Sequence, residues 1–267
     1  MHSRRRRRRK PKRLLPNIIT FAVLAIGIFI FAIASSGAGG YPSTEADSSR
    51  PPAGASAAIA PEGFPDFTAQ VQTTALTDTQ YLKLVNRSLP IAAPVNYAQL
   101  TSLWPDISVR ATYVTLRETA FLAMRDLFAE ANHAGHGNLF VASGFRSQEE
   151  QSHLYTNALD RAYVMPPGHS EHQLGLAADI LAGADTPTMR GSEEARWLAE
   201  NAPQFGFILR YPEDKQDITG TPYEPWHFRY VGRVHAWYMG KQNFVLEEYI
   251  DYLRRHGGYR AEFGGRT

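Results

Sequence analysis

Apolar positions recur at spacings of three and four across Leu116–Gly135, LRETAFLAMRDLFAEANHAG, where Ala120, Leu122, Ala123, Leu127 and Phe128 fall toward one side. That period predicts an amphipathic helix, with Gly135 as its C-terminal stop. LFVASGF, Leu139–Phe145, is a short apolar run and predicts a buried strand. SQEEQSHLYTNALDRA predicts a second helix, with Ser147 as N-cap and Glu150 completing a capping box. GLAADIL predicts another strand, and SEEARWLAENAPQFG a helix capped by Ser192. WHFRYVG alternates and predicts a strand, and VLEEYIDYLRRHGG a last helix stopped by Gly257. Upstream, YLKLVNRSLPI reads as a strand ending in a turn. Short helices and strands are interspersed. The expected class is therefore α+β, with a small, mostly antiparallel sheet flanked by helices.

The pattern is different before this region. From Ile18 to Ala34 the chain carries no charge, and Leu14–Ala34 is apolar almost throughout. Roughly 20 such residues suffice to span a bilayer as a helix. A basic cluster before such a segment holds that end in the cytoplasm. Residues 14–35 are thus expected to form one transmembrane helix, with 1–13 cytoplasmic and everything later outside. The other reading is a cleaved signal peptide, because Ala32–Ala34 has a small-residue cleavage pattern, although the run is long for one. Residues 36–75 are rich in Gly, Ser, Pro and Ala without periodicity and read as a flexible linker. The domain is expected over 76–260, with 261–267 a C-terminal tail. No internal repeat is visible.

Composition refines this picture at two points. The net charge of +2 hides an asymmetry, since residues 1–13 hold nine Lys and Arg and no acid. The remainder has 19 basic residues against 26 acidic ones. A mildly acidic folded part argues against nucleic acid as its partner, which calls for a basic face. The chain has no cysteine. Neither disulfides nor thiolate ligands and nucleophiles are available.

Candidate chemistry concentrates in PPGHSEHQLGLAADI, Pro166–Ile180, where Glu171, His172 and Asp179 surround Gly175. One reading is a metal site. The other is a surface turn leading into a buried strand. His172 and Asp179 are about 23 Å apart in an extended strand and about 10 Å apart in a helix. Sharing a metal requires the chain to fold back, which Gly175 permits. A third ligand has to come from downstream, where YEPWHFRY offers Glu224 and His227. Pro225 biases Glu224 toward extended geometry. A carboxylate that does not ligate is the usual base for activating water at such a centre. By pattern alone Arg146 reads as a surface or cap residue, and Trp226 and Tyr155 as packing residues.

Taken together, these segments resemble the VanY-type D-alanyl-D-alanine carboxypeptidases, zinc peptidases of bacterial cell walls. The family pattern S-x-H-x-x-G-x-A-x-D is met by Ser170–Asp179, and E-x-W-H by Glu224–His227. Upstream, S-G-[YF]-R-S is met by Ser143–Ser147, followed by Gln151 and Leu154-Tyr155. Gln148 stands where an aromatic is common. The resemblance runs from about Tyr81 to Tyr252. It implies a Hedgehog/D,D-peptidase-like fold, Zn2+ held by His172, Asp179 and His227, and Glu224 as general base. It also implies Arg146 at the developing oxyanion, Ser170 and Gln151 at the substrate's terminal carboxylate, and Trp226 and Tyr155 as further substrate contacts. The activity implied is D,D-carboxypeptidase action on peptidoglycan pentapeptides. The alternatives are L,D-carboxypeptidase action on tetrapeptides, or a non-catalytic zinc-containing wall-binding module. A pure binder has no need of Glu224.

Overall fold

A computed structural model describes residues 70–71, 79–92, 99–183 and 189–256. The basic tail, the apolar segment 14–35, nearly all of the linker, Gly257 and residues 261–267 lie outside the described residues. Among those described, no helix is long and apolar enough to cross a membrane.

Strands β1 (Leu100–Ser102) and β2 (Thr115–Arg117) pair as an antiparallel ribbon. Strands β3 (Leu139–Ser143), β4 (Ala177–Ala182), β5 (Phe207–Leu209) and β6 (His227–Tyr230) form an antiparallel sheet in the order β3-β4-β6-β5. The helices are α1 (Glu118–His133), α2 (Gln148–Thr156), α3 (Glu193–Asn201), the single turn α4 (Gln216–Thr219), α5 (Arg233–Gln242) and α6 (Leu246–Arg255). The α+β class and the small antiparallel sheet expected from the sequence are both present.

Helix α1 is buried through Ala120, Phe121, Met124, Leu127, Phe128 and Ala131. These packed residues follow the 3.6-residue period. Leu122, expected on the inner side, is 41% exposed, because it stands two residues from Ala120, across the helix. Leu116 belongs to β2 rather than to the helix. The core under α1 includes Leu116, Val141, Ile180 and Phe228. A second cluster, with Leu82, Ile208, Val231, Tyr249 and Leu253, lies beneath α5 and α6. Burying each large apolar side chain contributes roughly 1.5–3 kcal/mol.

The capping box of α2 forms as expected: Ser147 Oγ accepts from Glu150 N at 3.2 Å, and Glu150 Oε2 accepts from Ser147 N at 2.8 Å. Ser192 caps α3 by accepting from Ala195 N. After α3 the chain tightens into a 3-10 turn, Ala202–Phe205, where Pro203 cannot donate to a continuing helix.

The segment from Tyr81 is not a strand. A 3-10 turn, Thr79–Tyr81, leads into irregular backbone. Leu82 and Val85 are nevertheless fully buried. The guanidinium of Arg229 takes the place of a neighbouring strand, since its Nη2 donates to Tyr81 O and Lys83 O at 2.9 and 3.0 Å.

Candidate metal centre and active site

The two central strands bring distant residues side by side. In the β4–β6 register Asp179 pairs with His227 and Ala177 with Arg229. Residues directly opposite in an antiparallel pair have Cβ atoms about 4.5–5.5 Å apart. The period of two puts all four on one sheet face, and Ala177 leaves room for the arginine opposite it.

His172 arrives from a different element. Residues Glu171–Leu174 form a 3-10 turn ended by Gly175 at φ +68°. A side chain at Gly175 would press on Arg117 Cγ and Leu100 Cδ2, both 3.0 Å from the position of its Cβ. This left-handed, crowded point reverses the chain into β4, as the spacing of His172 and Asp179 requires. Gly144 O approaches His172 Nδ1 at 2.7 Å. A carbonyl can only accept, so Nδ1 carries the proton and Nε2 faces Asp179 Oδ2 at 3.4 Å.

His227 Nδ1 lies 3.3 Å from Asp179 Oδ1 and 3.6 Å from Glu224 Oε2. The ligating atoms of His172, Asp179 and His227 lie within 4.8 Å of one another, and all three residues are buried. Tetrahedral ligand bonds of about 2.0–2.1 Å imply ligand separations of about 3.3 Å, and the two N···O distances match. Asp179 Oδ1 is buried without a hydrogen-bond partner. Such an atom costs free energy unless something satisfies it, and a cation among these three residues does so.

Glu224 reaches the centre through a tight turn. His227 N donates to Glu224 O at 3.1 Å, with Pro225 at the second turn position, where its fixed φ suits the bend. Both side chains therefore emerge toward the same point. Burial pushes the Glu224 carboxyl up to about 8, opposed by His227 and assisted by Asp179. Burial also disfavours ionised Asp179, but His172 and His227 hold it well below the usual carboxylate range. For His227 burial is outweighed by Asp179, Glu171 and Glu224, which push it up to about 9 in the metal-free chain.

Arg146 borders the triad, with Nη2 3.9 Å from Asp179 Oδ2. Its Nη2 donates to Ser143 Oγ at 3.0 Å and its Nη1 to Gln151 Oε1 at 2.6 Å. Gln151 is fully buried, and its Nε2 donates to Met165 O. Both ends of that amide are thus engaged, one of them in orienting Arg146. Ser170 is buried immediately before the His172 turn. Trp226 is half-buried, packs against the main core and lies 6.3 Å from the Tyr163 ring. Tyr155 is half-buried on α2, with the Arg161 guanidinium 4.8 Å over its ring.

Residues 113–233 match the model of the family described as VanY, D-alanyl-D-alanine carboxypeptidase, a span containing every residue of the triad together with Arg146 and Glu224. A solved VanY D,D-pentapeptidase from a VanB-type vancomycin-resistance cassette, in complex with Zn(II), is 38% identical; the match covers 64% of this chain and 98% of that one, with a TM-score of 0.56. The chain belongs to the VanY family. A D-alanyl-D-alanine carboxypeptidase of Enterococcus faecium is 46% identical over 129 residues, covering 48% of this chain and 42% of that relative. The chain therefore spans under half the length of that curated relative. The LdcB LD-carboxypeptidase structure, 30% identical, covers 69% of this chain and 89% of its own, with a TM-score of 0.58. These matches bear out the family expected from the motifs.

Sequence reasoning missed one layer of this VanY-family site. Glu171, Arg210 and Arg229 are buried together, with Glu171 Oε1 2.8 Å from Arg210 Nε and 2.8 Å from Arg229 Nη1. Arg210 also forms a bidentate pair with Glu247 of α6. Burial opposes ionisation of Glu171, but the two arginines hold its carboxyl well below the usual range. A usable signal was present: in HFRY the period of two puts Arg229 on the same strand face as His227.

Proposed function

We propose that this chain is a zinc-dependent carboxypeptidase that removes the C-terminal D-alanine from peptidoglycan stem peptides, acting as a D,D-carboxypeptidase on the pentapeptide. The observation that carries this reading is the buried Glu224 carboxylate converging on the His172–Asp179–His227 cluster, 3.6 Å from His227 Nδ1. A wall-binding module would have no use for that carboxylate.

His172 Nε2, Asp179 and His227 Nδ1 would hold the ion. Zinc bound there supplies positive charge that acidifies water and polarises a carbonyl. Burial makes Glu224 a stronger base than an exposed carboxylate, and adjacent positive charge favours its ionised form. Glu224 takes a proton from the attacking water as the new C–O bond forms. Arg146, fixed by Ser143 and Gln151, donates to the carbonyl oxygen as that atom gains charge. The C–N bond then breaks, and Glu224 delivers its proton to the departing D-alanine nitrogen. Ser170 is assigned to the substrate's terminal carboxylate; Gln151, expected there too, has both ends of its amide engaged and is assigned instead to holding Arg146 at the carbonyl oxygen. Trp226 and Tyr155 are assigned to the walls along the peptide.

Residues 14–35 are proposed as the membrane anchor, with the basic residues 1–13 in the cytoplasm and the domain outside, on a flexible spacer. The uncharged run and the basic cluster before it support this arrangement. Protease accessibility of the domain in intact cells and in inverted vesicles tests it, and protection in intact wall-free cells would reverse it.

The activity is tested by incubating the zinc-loaded chain with pentapeptide and tetrapeptide muropeptides and following loss of one alanine by mass spectrometry, with Glu224→Ala as control. Shortening of the pentapeptide is expected. Shortening of the tetrapeptide alone would replace the D,D reading by the L,D reading. Cleavage of neither by zinc-bound protein would favour the binding module.

A further inference from the structure

We infer that Glu171 is a positioning residue for His227: its carboxylate is placed to accept a hydrogen bond from Nε2–H, which keeps the proton on Nε2 and leaves Nδ1 to bind metal. The inference rests on the zinc reading of the site.

The geometry around His227 is two-sided. Nδ1 faces Asp179 and Glu224. On the far side Nε2 faces Glu171 Oε2 at 3.6 Å. That is longer than a hydrogen bond, yet both atoms are buried and neither has another hydrogen-bond partner. A small movement of the imidazole joins them. Metal-ligating histidines generally give their second ring proton to a carboxylate or a carbonyl, which fixes tautomer and orientation. His172 uses the Gly144 carbonyl in this way. Glu171 is the group placed to serve His227.

Glu171 is itself held on its other oxygen. Its Oε1 lies 2.8 Å from both Arg210 Nε and Arg229 Nη1. Arg210 is anchored by Glu247 in α6, and Arg229 by the carbonyls of Tyr81 and Lys83. Two separate parts of the chain therefore brace one ligand of the metal. Adjacency in sequence adds to the coupling, because Glu171 directly precedes His172 and one turn carries both a ligand and the orienter of another.

This arrangement makes a particular substitution informative. In Glu171→Gln the amide oxygen must face the arginines, which are both donors. The amide NH2 then confronts His227 Nε2, donor against donor. Zinc affinity should fall by about 10- to 100-fold.

The test uses the full chain in two measurements, zinc Kd by chelator competition and 15N-histidine NMR of the zinc-loaded protein. In the wild type, His227 should bear its proton on Nε2 as a downfield, exchange-protected signal. In Glu171→Gln that signal should move upfield or exchange away, together with the loss of affinity. If the variant does not fold, Glu171→Asp keeps the charge against the arginines and retracts the carboxylate by one methylene, and it should show the same two changes. Unchanged Kd and an unmoved Nε2 proton in a folded variant, or a wild type with the proton on Nδ1, would overturn the inference. A wild type that binds no zinc would overturn the underlying zinc reading instead.

Discussion

Asp179 and His227 stand opposite each other in register on β4 and β6, with Asp179 Oδ1 3.3 Å from His227 Nδ1. They are 48 residues apart in the chain, and only the strand pairing makes them neighbours. The pairing sets their spacing before any ion arrives. A preformed site of this kind stabilises the fold on binding by mass action, by about 2.7 kcal/mol at a hundred times Kd. Zinc should therefore raise the melting temperature of the wild type. In His172→Ala that increase should be largely lost, as read by calorimetry with and without zinc; an undiminished increase would remove His172 from the ligand set.

Glu224→Ala should retain zinc and lose turnover by about 100- to 10,000-fold, the usual contribution of a general acid–base. Kinetics and metal content measured on the same preparation separate the two effects. Full activity in this variant would show that another group moves the proton.

The metal-free protein should respond to pH through the same residue. The folded-state value of Glu224 is raised from 4.5 to about 8. A raised carboxyl contributes stability that is present below its unfolded value and is lost as pH rises through the folded one. Glu224→Gln removes this dependence. Relative to the wild type, the variant should therefore gain stability between about pH 4.5 and 8, as read by melting in the presence of a chelator. Parallel curves across that range would contradict the assignment.

Gly144→Ala should damage both fold and site. A Cβ there would collide with the backbone oxygen of Thr115, where the end of β3 meets β2. Relief means moving the residue whose carbonyl holds His172 Nδ1. A lower melting temperature together with weaker zinc binding is expected. A loss of stability with unchanged zinc affinity would show that the His172 contact tolerates the shift.

A chain starting at residue 86 should be less stable than one starting at residue 76. The shorter chain lacks Leu82 and Val85, both fully buried, at a cost of about 3–6 kcal/mol. It also lacks the carbonyls that receive Arg229 Nη2. Equal denaturation midpoints for the two would place the true domain boundary later.

The sequence by itself determined what depends on local chemistry. The apolar period of α1, the Ser147–Glu150 capping box and the turn at Gly175 are short-range, so a few adjacent residues suffice to specify them. The candidate ligands His172, Asp179 and His227, and with them Glu224, were legible for a related reason, since each stands in a compact motif with a recognisable spacing. Only the tertiary structure decided the rest. β1, β2 and β5 have three residues each and exist through their partners. Helix α5 buries His235 through Met239 in succession and so presents no amphipathic period to read. The segment Tyr81–Val85 looks like a strand but is satisfied by the Arg229 side chain. Glu171 meets Arg210, Arg229 and His227 from 39, 58 and 56 positions away. A buried charge survives only beside its counter-charge, and which charges meet is fixed by strand register and chain reversal, long-range properties that no local window contains.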